Sequence, residues 1–271
     1  MVLGRPRRYR MTDTREIKRD IIGLFVFIVV LALMFLLGAS VRAAGPCDGV
    51  TLDTIKAQVP LPPARIVSMR PAHGLCEVIL NMKSGENVPV YVGKDFIIAG
   101  EMFSARRQVT QDQIEKLKKA EFLKLKPRLD EAVAIDYRPS GETGRTIYMF
   151  TDPVCPFCKK AEAGIKQLAD KYHAELKILF FPVHIPVGRD MAVKAVCKNL
   201  DLDHYLDKTW EKDGDKVNCK KGADLLKKSS DLARRLGVRG VPCFFLDNGR
   251  SVTGAYLPGL ERLLTTEVSA R

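Results

Sequence analysis

Long apolar runs, short alternating runs and helical periodicities divide the chain of 271 residues into four regions. The first region contains residues 21–41, which carry no charge and are almost wholly apolar. As a helix, such a run spans about 30 Å, the thickness of a bilayer core. Seven Lys or Arg lie within the first 19 residues, so we expect the N-terminus to stay in the cytoplasm and the chain after Arg42 to be exported.

Residues 1–44 are therefore predicted to be a basic cytoplasmic tail with a membrane anchor or a signal sequence. A permanent single-pass anchor is favoured over a cleaved signal, since the apolar run is longer than the roughly 7–15 residues of a signal core. In addition, Val41-Arg42-Ala43 has an Arg at the centre of the small-residue site that cleavage would require.

Residues 47–109 contain short apolar runs separated by Pro, Gly and Asn, which predicts a small domain of short strands. The predicted strands are Ile66–Ser68, Cys76–Leu80, Val88–Val92 and Phe96–Ala99. A domain of about 63 residues has only a marginal core. It gains stability by pairing with a second copy, or from a crosslink that Cys47 and Cys76 could supply.

Residues 110–127 are predicted to be an exposed linker helix. Thr110 and Gln113 have the spacing of a capping box, and a stretch rich in Lys and Glu follows them. Pro127 is expected to stop this helix.

Residues 128–271 alternate between strand and helix patterns, which predicts an α/β layer fold with an inserted helical region. The predicted strands cover residues 146–150, 176–181, 243–246 and 251–253, and the predicted helices begin after Cys155, near 190 and 222, and at Pro258. The helix after Cys155 has an apolar stripe of Ala161, Ile165, Leu168, Ala169 and Tyr172, and Glu162 is assigned to its polar side.

Seven cysteines fit an oxidising compartment. The formal net charge is +12, and residues 1–44 hold eight Lys or Arg and three Asp or Glu, which leaves +7 for the exported part. Basic runs such as Lys116-Leu117-Lys118-Lys119 lie among acidic residues without interleaved aromatic residues. This composition favours a solvated face over nucleic-acid binding.

The most informative motif is Cys155-Pro156-Phe157-Cys158, between a predicted strand and a predicted helix. Pro156 suits the first helical position, which makes Cys155 the N-cap. A sulfur there is expected to face the unpaired amides of Phe157 and Cys158 and the positive end of the helix dipole, both of which stabilise a thiolate. We therefore predict that Cys155 attacks disulfides and that Cys158, one turn further on, resolves them.

A zinc site is the main alternative for two cysteines at this spacing. Structural zinc requires two further Cys or His ligands, and the sequence has no second C-x-x-C and no H-x-x-x-H. Redox chemistry is therefore favoured and no metal is predicted. The four histidines are scattered and are interpreted as surface or core residues, and Tyr205 and Trp210 as packing. Asp152 either assists proton transfer near Cys158 or ends the strand.

Together these residues resemble the thioredoxin-fold half of the DsbC/DsbG disulfide isomerases. The resemblance rests on Thr151-Asp152 before the cysteine motif, Gly240-Val241-Pro242 before a strand, Asn248-Gly249, and Gly254-Ala255-Tyr256. Residues 94–103 also resemble the last strands of that family's dimerisation domain. The resemblance covers nearly everything after Asp48. It implies an α/β thioredoxin-like fold with a helical insertion for residues 128–271, preceded by a small α+β dimerisation domain at 47–109 and the linker helix.

The resemblance also implies details of the site and its partners. Val241 and Pro242 would form a cis-proline loop that receives the substrate, and Cys197 and Cys219 would form a structural disulfide. The family further implies a homodimer, no small-molecule cofactor, and a membrane thiol reductase similar to DsbD that keeps Cys155 reduced.

We therefore predict a thiol:disulfide interchange protein on the periplasmic side of a bacterial inner membrane, which isomerises or reduces wrong disulfides in exported proteins. Val241 stands where the isomerases typically carry Thr and is more like the oxidase DsbA, so a DsbA-like dithiol oxidase is the alternative. From other classes, a Cu(I)-handling protein with both thiols as soft ligands, or a periplasmic chaperone, would also fit. Cys243, directly after Pro242, is expected to be a buried small hydrophobe.

Overall fold

The computed structural model describes residues 25, 27–29, 45–141, 144–212, 214 and 218–268. The chain divides into two units, residues 1–45 and 46–271. Of the predicted anchor, only Phe25 and residues 27–29 are described, and they are helical and exposed; the rest of that prediction lies outside the described residues. Within the described part of the chain, no helix has the length and apolar character that a membrane crossing requires.

The second unit begins with a helix and an antiparallel sheet. Helix α1 covers Leu52–Gln58 and starts at a capping box in which Thr51 and Thr54 bond each other's backbone amides. Strands β1 (Ala64–Ala72), β2 (Leu75–Met82), β3 (Asn87–Val92) and β4 (Ile97–Ala99) follow in sheet order β1-β2-β3-β4. All four predicted strands are present, whereas the sequence analysis missed α1 and the short hairpin of β5 (Phe103–Ser104) and β6 (Arg107–Gln108).

This first sheet and helix share one apolar core, to which the buried side chains of Ile55, Cys76, Val78, Leu80, Val90 and Val92 belong. A disulfide joins Cys47 to Cys76 and ties the segment before α1 to the centre of this core.

Helix α2 covers Val109–Asp130, so two parts of the linker-helix prediction were wrong. Gln108, not Thr110, is the N-cap, and Thr110 is fully buried with its hydroxyl bonded to the Tyr91 hydroxyl and to the amide of Met102. The helix also continues through Pro127.

The second half of α2 is not an exposed linker. Phe122, Leu125 and Leu129 are at most 2% exposed and pack against the following sheet. Burying such side chains contributes about 1.5–3 kcal/mol each, which together exceeds the roughly 3 kcal/mol that a proline costs inside a helix. Tertiary packing therefore carries the helix past Pro127.

The remaining elements form a five-stranded sheet with helices on both faces. Their order is β7 (Ile135–Tyr137), β8 (Arg145–Thr151), α3 (Pro156–Lys171), β9 (Ala174–Phe180), α4 (Val187–Cys197), α5 (Leu202–Asp207), a 3₁₀ turn (Thr209–Glu211), α6 (Lys220–Arg235), β10 (Cys243–Leu246), β11 (Ser251–Thr253) and α7 (Leu257–Val268). The sheet order is β11-β10-β8-β9-β7, with β8 and β9 parallel and the other pairs antiparallel. The strand β7 was missed by the sequence analysis.

Strand β8 lies at the centre of this sheet and positions the site. Residues 147–150 are fully buried, because Ile147 and Met149 face one apolar core while Tyr148 and Phe150 face the other, which contains the buried end of α2. The strand ends at Thr151, and five residues later α3 begins at Pro156. The cysteine motif therefore lies at the end of a strand that is packed on both sides.

Candidate active site

Cys155 is the N-cap of α3 and Pro156 is the first helical residue. Cys155 is 3% exposed and Cys158 is fully buried, and both are free thiols. One expectation was wrong: the Cys155 side chain makes no capping hydrogen bond at the start of the described helix. Its Sγ instead faces the carbonyl oxygen of Val241 at 3.9 Å, because the thiol turns toward the neighbouring loop rather than over the first helical turn.

That neighbouring loop contains the Val241–Pro242 peptide bond, which is cis. Strand β10 starts directly after it and pairs with β8, with Cys243 opposite Phe150. The carbonyl of Pro242 accepts a hydrogen bond from the amide of Gly254 at 2.8 Å. Sheet pairing thus brings the cis-proline loop beside the cysteine motif, although the two are more than eighty residues apart in sequence.

Cys158 lies in a more enclosed environment than Cys155. Its Sγ accepts a hydrogen bond from the backbone N–H of Asp152 at 3.5 Å. Burial raises the pKa of Cys158 to about 12. The group is therefore a neutral thiol at neutral pH and has to lose a proton before it can attack a disulfide.

Asp152 is fully buried and its carboxylate holds the loop that follows β9. It accepts hydrogen bonds from the backbone amides of Val154, Val183 and His184 at 2.9–3.1 Å, and its Oδ2 lies 2.8 Å from Nδ1 of His184. Gly188 lies so close that a Cβ there would be 2.5 Å from Oδ1. Asp152 therefore organises residues 183–188 beside the thiols, and the atom that contacts Cys158 is its backbone nitrogen.

A buried charged group lies beneath the site, and the sequence analysis misplaced it. Glu162 on α3 is 3% exposed, although it was assigned to the polar side of that helix. It accepts hydrogen bonds from the hydroxyls of Thr151 at 3.0 Å and Tyr205 at 2.7 Å, and its Oε2 lies 2.7 Å from Nζ of Lys208. The signal was present in the sequence, since Glu162 is four residues after Cys158 and three before Ile165, on the buried stripe.

Tyr205 belongs to this polar cluster as well as to the core. Its ring lies 3.7 Å below Nζ of Lys208 and stacks with Trp210 at 5.9 Å between centroids. Burial raises the pKa of Tyr205 well above its usual value, so its hydroxyl stays a hydrogen-bond donor. Interpreting Tyr205 only as packing was therefore incomplete.

The remaining cysteines lie away from the motif or are enclosed. Cys197, at the end of α4, forms a disulfide with Cys219, the N-cap of α6. Cys243 is 3% exposed, its Sγ lies 3.4 Å from the Thr253 hydroxyl, and burial raises its pKa to about 11. Among the described residues, no three side chains of His, Cys, Asp or Glu are grouped as metal ligands would be.

Exposed apolar side chains surround the cysteine motif. Phe157 lies inside the motif and is 65% exposed. Ile185, on the loop held by Asp152, is 63% exposed, and Val187, at the start of α4, is 59% exposed. Tyr256, two residues after the Gly254 whose amide bonds the carbonyl of Pro242, is 66% exposed. Side chains of this kind provide a surface for apolar segments of another polypeptide.

Comparison with known proteins gives three findings. Residues 131–265 match the family model of a thioredoxin-like domain. The probable thiol:disulfide interchange protein DsbC of Bordetella avium is 28% identical over 235 residues, which are 83% of this chain and 78% of that protein. Among solved structures, the thiol-disulfide exchange protein alpha-DsbA2 of Wolbachia pipientis has a TM-score of 0.46 and 19% identity, covering 57% of this chain and 97% of that one.

DsbG of Helicobacter pylori is also similar, with a TM-score of 0.35 and 19% identity over 72% of this chain and 97% of that chain. The residues matched by the family model contain both thiols of the motif, the cis-proline and the buried carboxylates of Asp152 and Glu162.

Proposed function

Because the chain is a thiol-disulfide oxidoreductase of the DsbC/DsbG type with a thioredoxin-like fold, we propose that it isomerises or reduces wrong disulfides in exported proteins. The observation that carries the proposal is the pair of free thiols at the start of α3, with Cys155 facing the cis-proline loop and Cys158 enclosed. We place the protein on the periplasmic side of a bacterial inner membrane, where wrong disulfides arise.

The proposed reaction begins when the thiolate of Cys155 attacks one sulfur of a substrate disulfide. A mixed disulfide forms and the other substrate sulfur leaves as a thiolate. In isomerisation, a substrate thiolate then attacks the mixed disulfide, a new substrate disulfide forms, and Cys155 leaves reduced. No net oxidation takes place.

In reduction, Cys158 loses its proton and attacks Sγ of Cys155. The product is a Cys155–Cys158 disulfide, and the substrate leaves with two thiols, having gained two electrons. The enzyme then has to be reduced again, which we assign to a membrane thiol reductase similar to DsbD.

The surface around the motif supports a protein substrate. Phe157, Ile185 and Tyr256 are exposed apolar groups around the motif, and Val241, whose carbonyl faces Sγ of Cys155, is half-buried. In the proposal, an extended peptide would bind along the backbone of this loop. An unfolded chain exposes both apolar side chains and unpaired backbone groups, so this surface favours unfolded clients over small molecules.

We assign a positioning role to Asp152. Its carboxylate accepts hydrogen bonds from three backbone amides. Asp152 therefore fixes the loop that carries Ile185 and leads to Val187. Asp152→Asn is expected to lower the free energy of unfolding by about 1–3 kcal/mol, because charged hydrogen bonds in a buried site are weakened. The pH dependence of mixed-disulfide resolution should stay unchanged; a shifted pH profile would instead assign proton transfer to Asp152.

The test of the proposal has two measurements. The first is the reduction potential of the Cys155/Cys158 pair against glutathione, and the second is the recovery of activity from a scrambled multi-disulfide substrate. We expect reactivation of the scrambled substrate, and none from the Cys155→Ala variant. A protein that oxidises reduced substrates but does not reactivate scrambled ones would be a DsbA-like oxidase.

A further inference from the structure

The hairpin between β2 and β3 touches the thioredoxin-like domain where helix α6 ends. Gly85 at the hairpin tip has a φ of +83°, and a Cβ on it would lie 1.8 Å from the carbonyl oxygen of Arg234. Likewise, a Cβ on Gly237 would lie 2.9 Å from the carbonyl oxygen of Gly85. The two backbones meet directly, at a point where only glycine fits on either side.

Both partners of this contact have defined local structure. The tip is braced by Asn81, whose side-chain amide donates to the carbonyl of Gly85 at 3.2 Å. Helix α6 ends in a Schellman motif, in which the amides of Gly237 and Val238 bond the carbonyls of Arg234 and Ala233. The contact therefore joins the ordered tip of the β2–β3 hairpin to the ordered C-terminus of α6.

One ion pair also joins the hairpin to the segment after α6, and a second joins α6 to α2. Glu86, next to Gly85, pairs with Arg239, and Arg235 on α6 pairs with Glu121 on α2 at 2.9 Å. The Glu86 and Arg239 side chains are 40% and 57% exposed, so their pair is accessible to solvent and can be reversed without burying a charge.

Arg239 is separated from Val241 by a single residue, Gly240. Val241 is the residue whose carbonyl faces Sγ of Cys155, and Pro242 follows it. On the other side of Arg239, Val238 is buried in the core. The segment that leads into the cis-proline loop is thus held by the core at Val238 and by the hairpin of the N-terminal domain at Arg239.

We propose that Gly85 and Glu86 are positioning residues for the thiol–disulfide reaction: through Arg239 they fix the cis-proline loop against Cys155. The inference rests on the proposed function, because it assumes that the loop receives the substrate peptide. The N-terminal domain of each chain thus has a second role besides the predicted dimer formation: it positions the substrate-binding loop of the same chain.

The test uses the full chain with Glu86→Arg, Arg239→Glu, the double variant with both changes, and Gly85→Ala. The matched control is Asp224→Lys, which breaks the exposed Lys220–Asp224 pair on the same helix α6. The first measurement is hydrogen–deuterium exchange of residues 238–242. The second is kcat/KM, measured as the apparent second-order rate constant of a single turnover with the reduced protein in excess, for two probes. These are a short extended peptide in mixed disulfide with glutathione, and the small disulfide 5,5′-dithiobis(2-nitrobenzoate).

We expect both single reversals to accelerate exchange in residues 238–242 about five-fold, in keeping with the loss of one exposed ion pair. Gly85→Ala should accelerate it at least as much, because its Cβ would collide with the carbonyl oxygen of Arg234. All three variants should lower kcat/KM for the peptide by a similar factor and leave the small disulfide unchanged, since the latter does not need the loop backbone. The double reversal should restore both values, and Asp224→Lys should change neither.

Exchange that matches the control variant, or a double variant that stays as impaired as the single ones, would overturn the inference. Equal losses on both probes would also overturn it, because they would indicate general destabilisation. Wild-type protein that reduces neither probe would overturn the proposed function and the reaction role with it, whereas the exchange data would report on the contact independently.

Discussion

At the scale of residues, Cys155 and Cys158 are both enclosed but have different surroundings. Cys155 lies beside the loop that contains Val241, and exposed apolar groups surround it. Cys158 is fully buried, and burial raises its pKa to about 12. A substrate disulfide can therefore reach Cys155 with a small movement of its surroundings, whereas Cys158 is accessible chiefly from Sγ of Cys155.

This difference predicts which variant traps substrates. Cys158→Ala should accumulate mixed disulfides with client proteins, because Cys155 still attacks but nothing inside the enzyme resolves the product. Cys155→Ala should trap none, since the remaining thiol is buried. The complexes can be counted on non-reducing gels after acid quenching. Equal trapping by the two variants would contradict the assignment of roles.

A second prediction concerns Cys243, whose pKa burial raises to about 11 from an ordinary 9.0. A thiol is charged when deprotonated, so between these two values the folded state binds more protons than the unfolded state. Its contribution to stability is complete below about pH 9 and is lost as the pH rises toward 11.

With both motif cysteines replaced by Ala, the free energy of unfolding should therefore fall by about 1 kcal/mol more between pH 8 and pH 10 than in the same protein with Cys243→Ala. Urea unfolding at the two pH values measures this difference. Equal slopes for the two proteins would show that Cys243 titrates normally in the folded state.

The sequence revealed the cysteines of the site more readily than its polar partners. Cys155 and Cys158 can be identified in the sequence by their spacing, and Pro242 can be identified by its position before a predicted strand. Glu162 was misassigned because a charged residue on a helix is expected to face solvent, and its partner Lys208 is more than forty residues away. His184 was interpreted only as a surface or core residue, and its contact with Asp152 was not predicted, because only the folded chain brings the two together.

At the scale of elements, helix α2 belongs to two domains at once. Thr110 at its start is buried against the first sheet through the Tyr91 hydroxyl, and Phe122, Leu125 and Leu129 near its end pack in the core of the second. The matched family model begins at residue 131, after these three side chains. The folded thioredoxin-like domain therefore starts earlier in the chain than residue 131, where the family match begins.

Two truncations test this boundary. A protein that begins at Thr110 keeps the three apolar side chains and should fold and retain dithiol activity. One that begins at residue 131 loses them and should be less stable by several kcal/mol, because each buried side chain contributes about 1.5–3 kcal/mol. Thermal unfolding followed by circular dichroism compares the two. Similar melting temperatures would mean that α2 adds nothing to the core of the thioredoxin-like domain.

Local patterns predicted most of the strands. β2, β3, β8 and β10 are short apolar runs, and a run of this kind can be recognised as a strand from the residues next to it in sequence. The same patterns failed where distant contacts decide the outcome. Pro127 is a strong local stop signal, but the packing of Leu125 and Leu129 on either side keeps the helix intact. Strand β7 is only three residues long, and its pairing with β9 defines it.

At the scale of the whole molecule, β4 is an edge strand of the first sheet and carries exposed apolar groups. Ile98 is 50% exposed, Phe96 just before the strand is 47% exposed, and Phe103 on β5 is 66% exposed. An open strand edge with apolar side chains is a template for pairing with another chain. We propose that a second copy of the protein covers this edge and forms the homodimer.

Ile98→Lys should make the protein monomeric, because a charge on an edge strand opposes pairing. It should abolish most isomerisation of scrambled substrates and leave the reduction of small disulfides intact, since only isomerisation needs a client to be held between two sites. Analytical ultracentrifugation reports the mass, and Met69→Lys on the opposite edge strand β1 is the control. A monomeric variant that isomerises as well as the wild type would favour the oxidase hypothesis.

The disulfides also determine how the protein itself can be made. Each native disulfide joins cysteines that are neighbours in the order of the sequence, Cys47 with Cys76 and Cys197 with Cys219, and the reactive pair lies between them. If the chain after Arg42 is exported in the order of the sequence, as we propose, each structural cysteine emerges as the neighbour of its correct partner, and Cys243 emerges last and unpaired. Sequential oxidation yields the native pairs without any rearrangement. Under the proposed function, maturation would then require a donor of disulfides but no earlier copy of the protein.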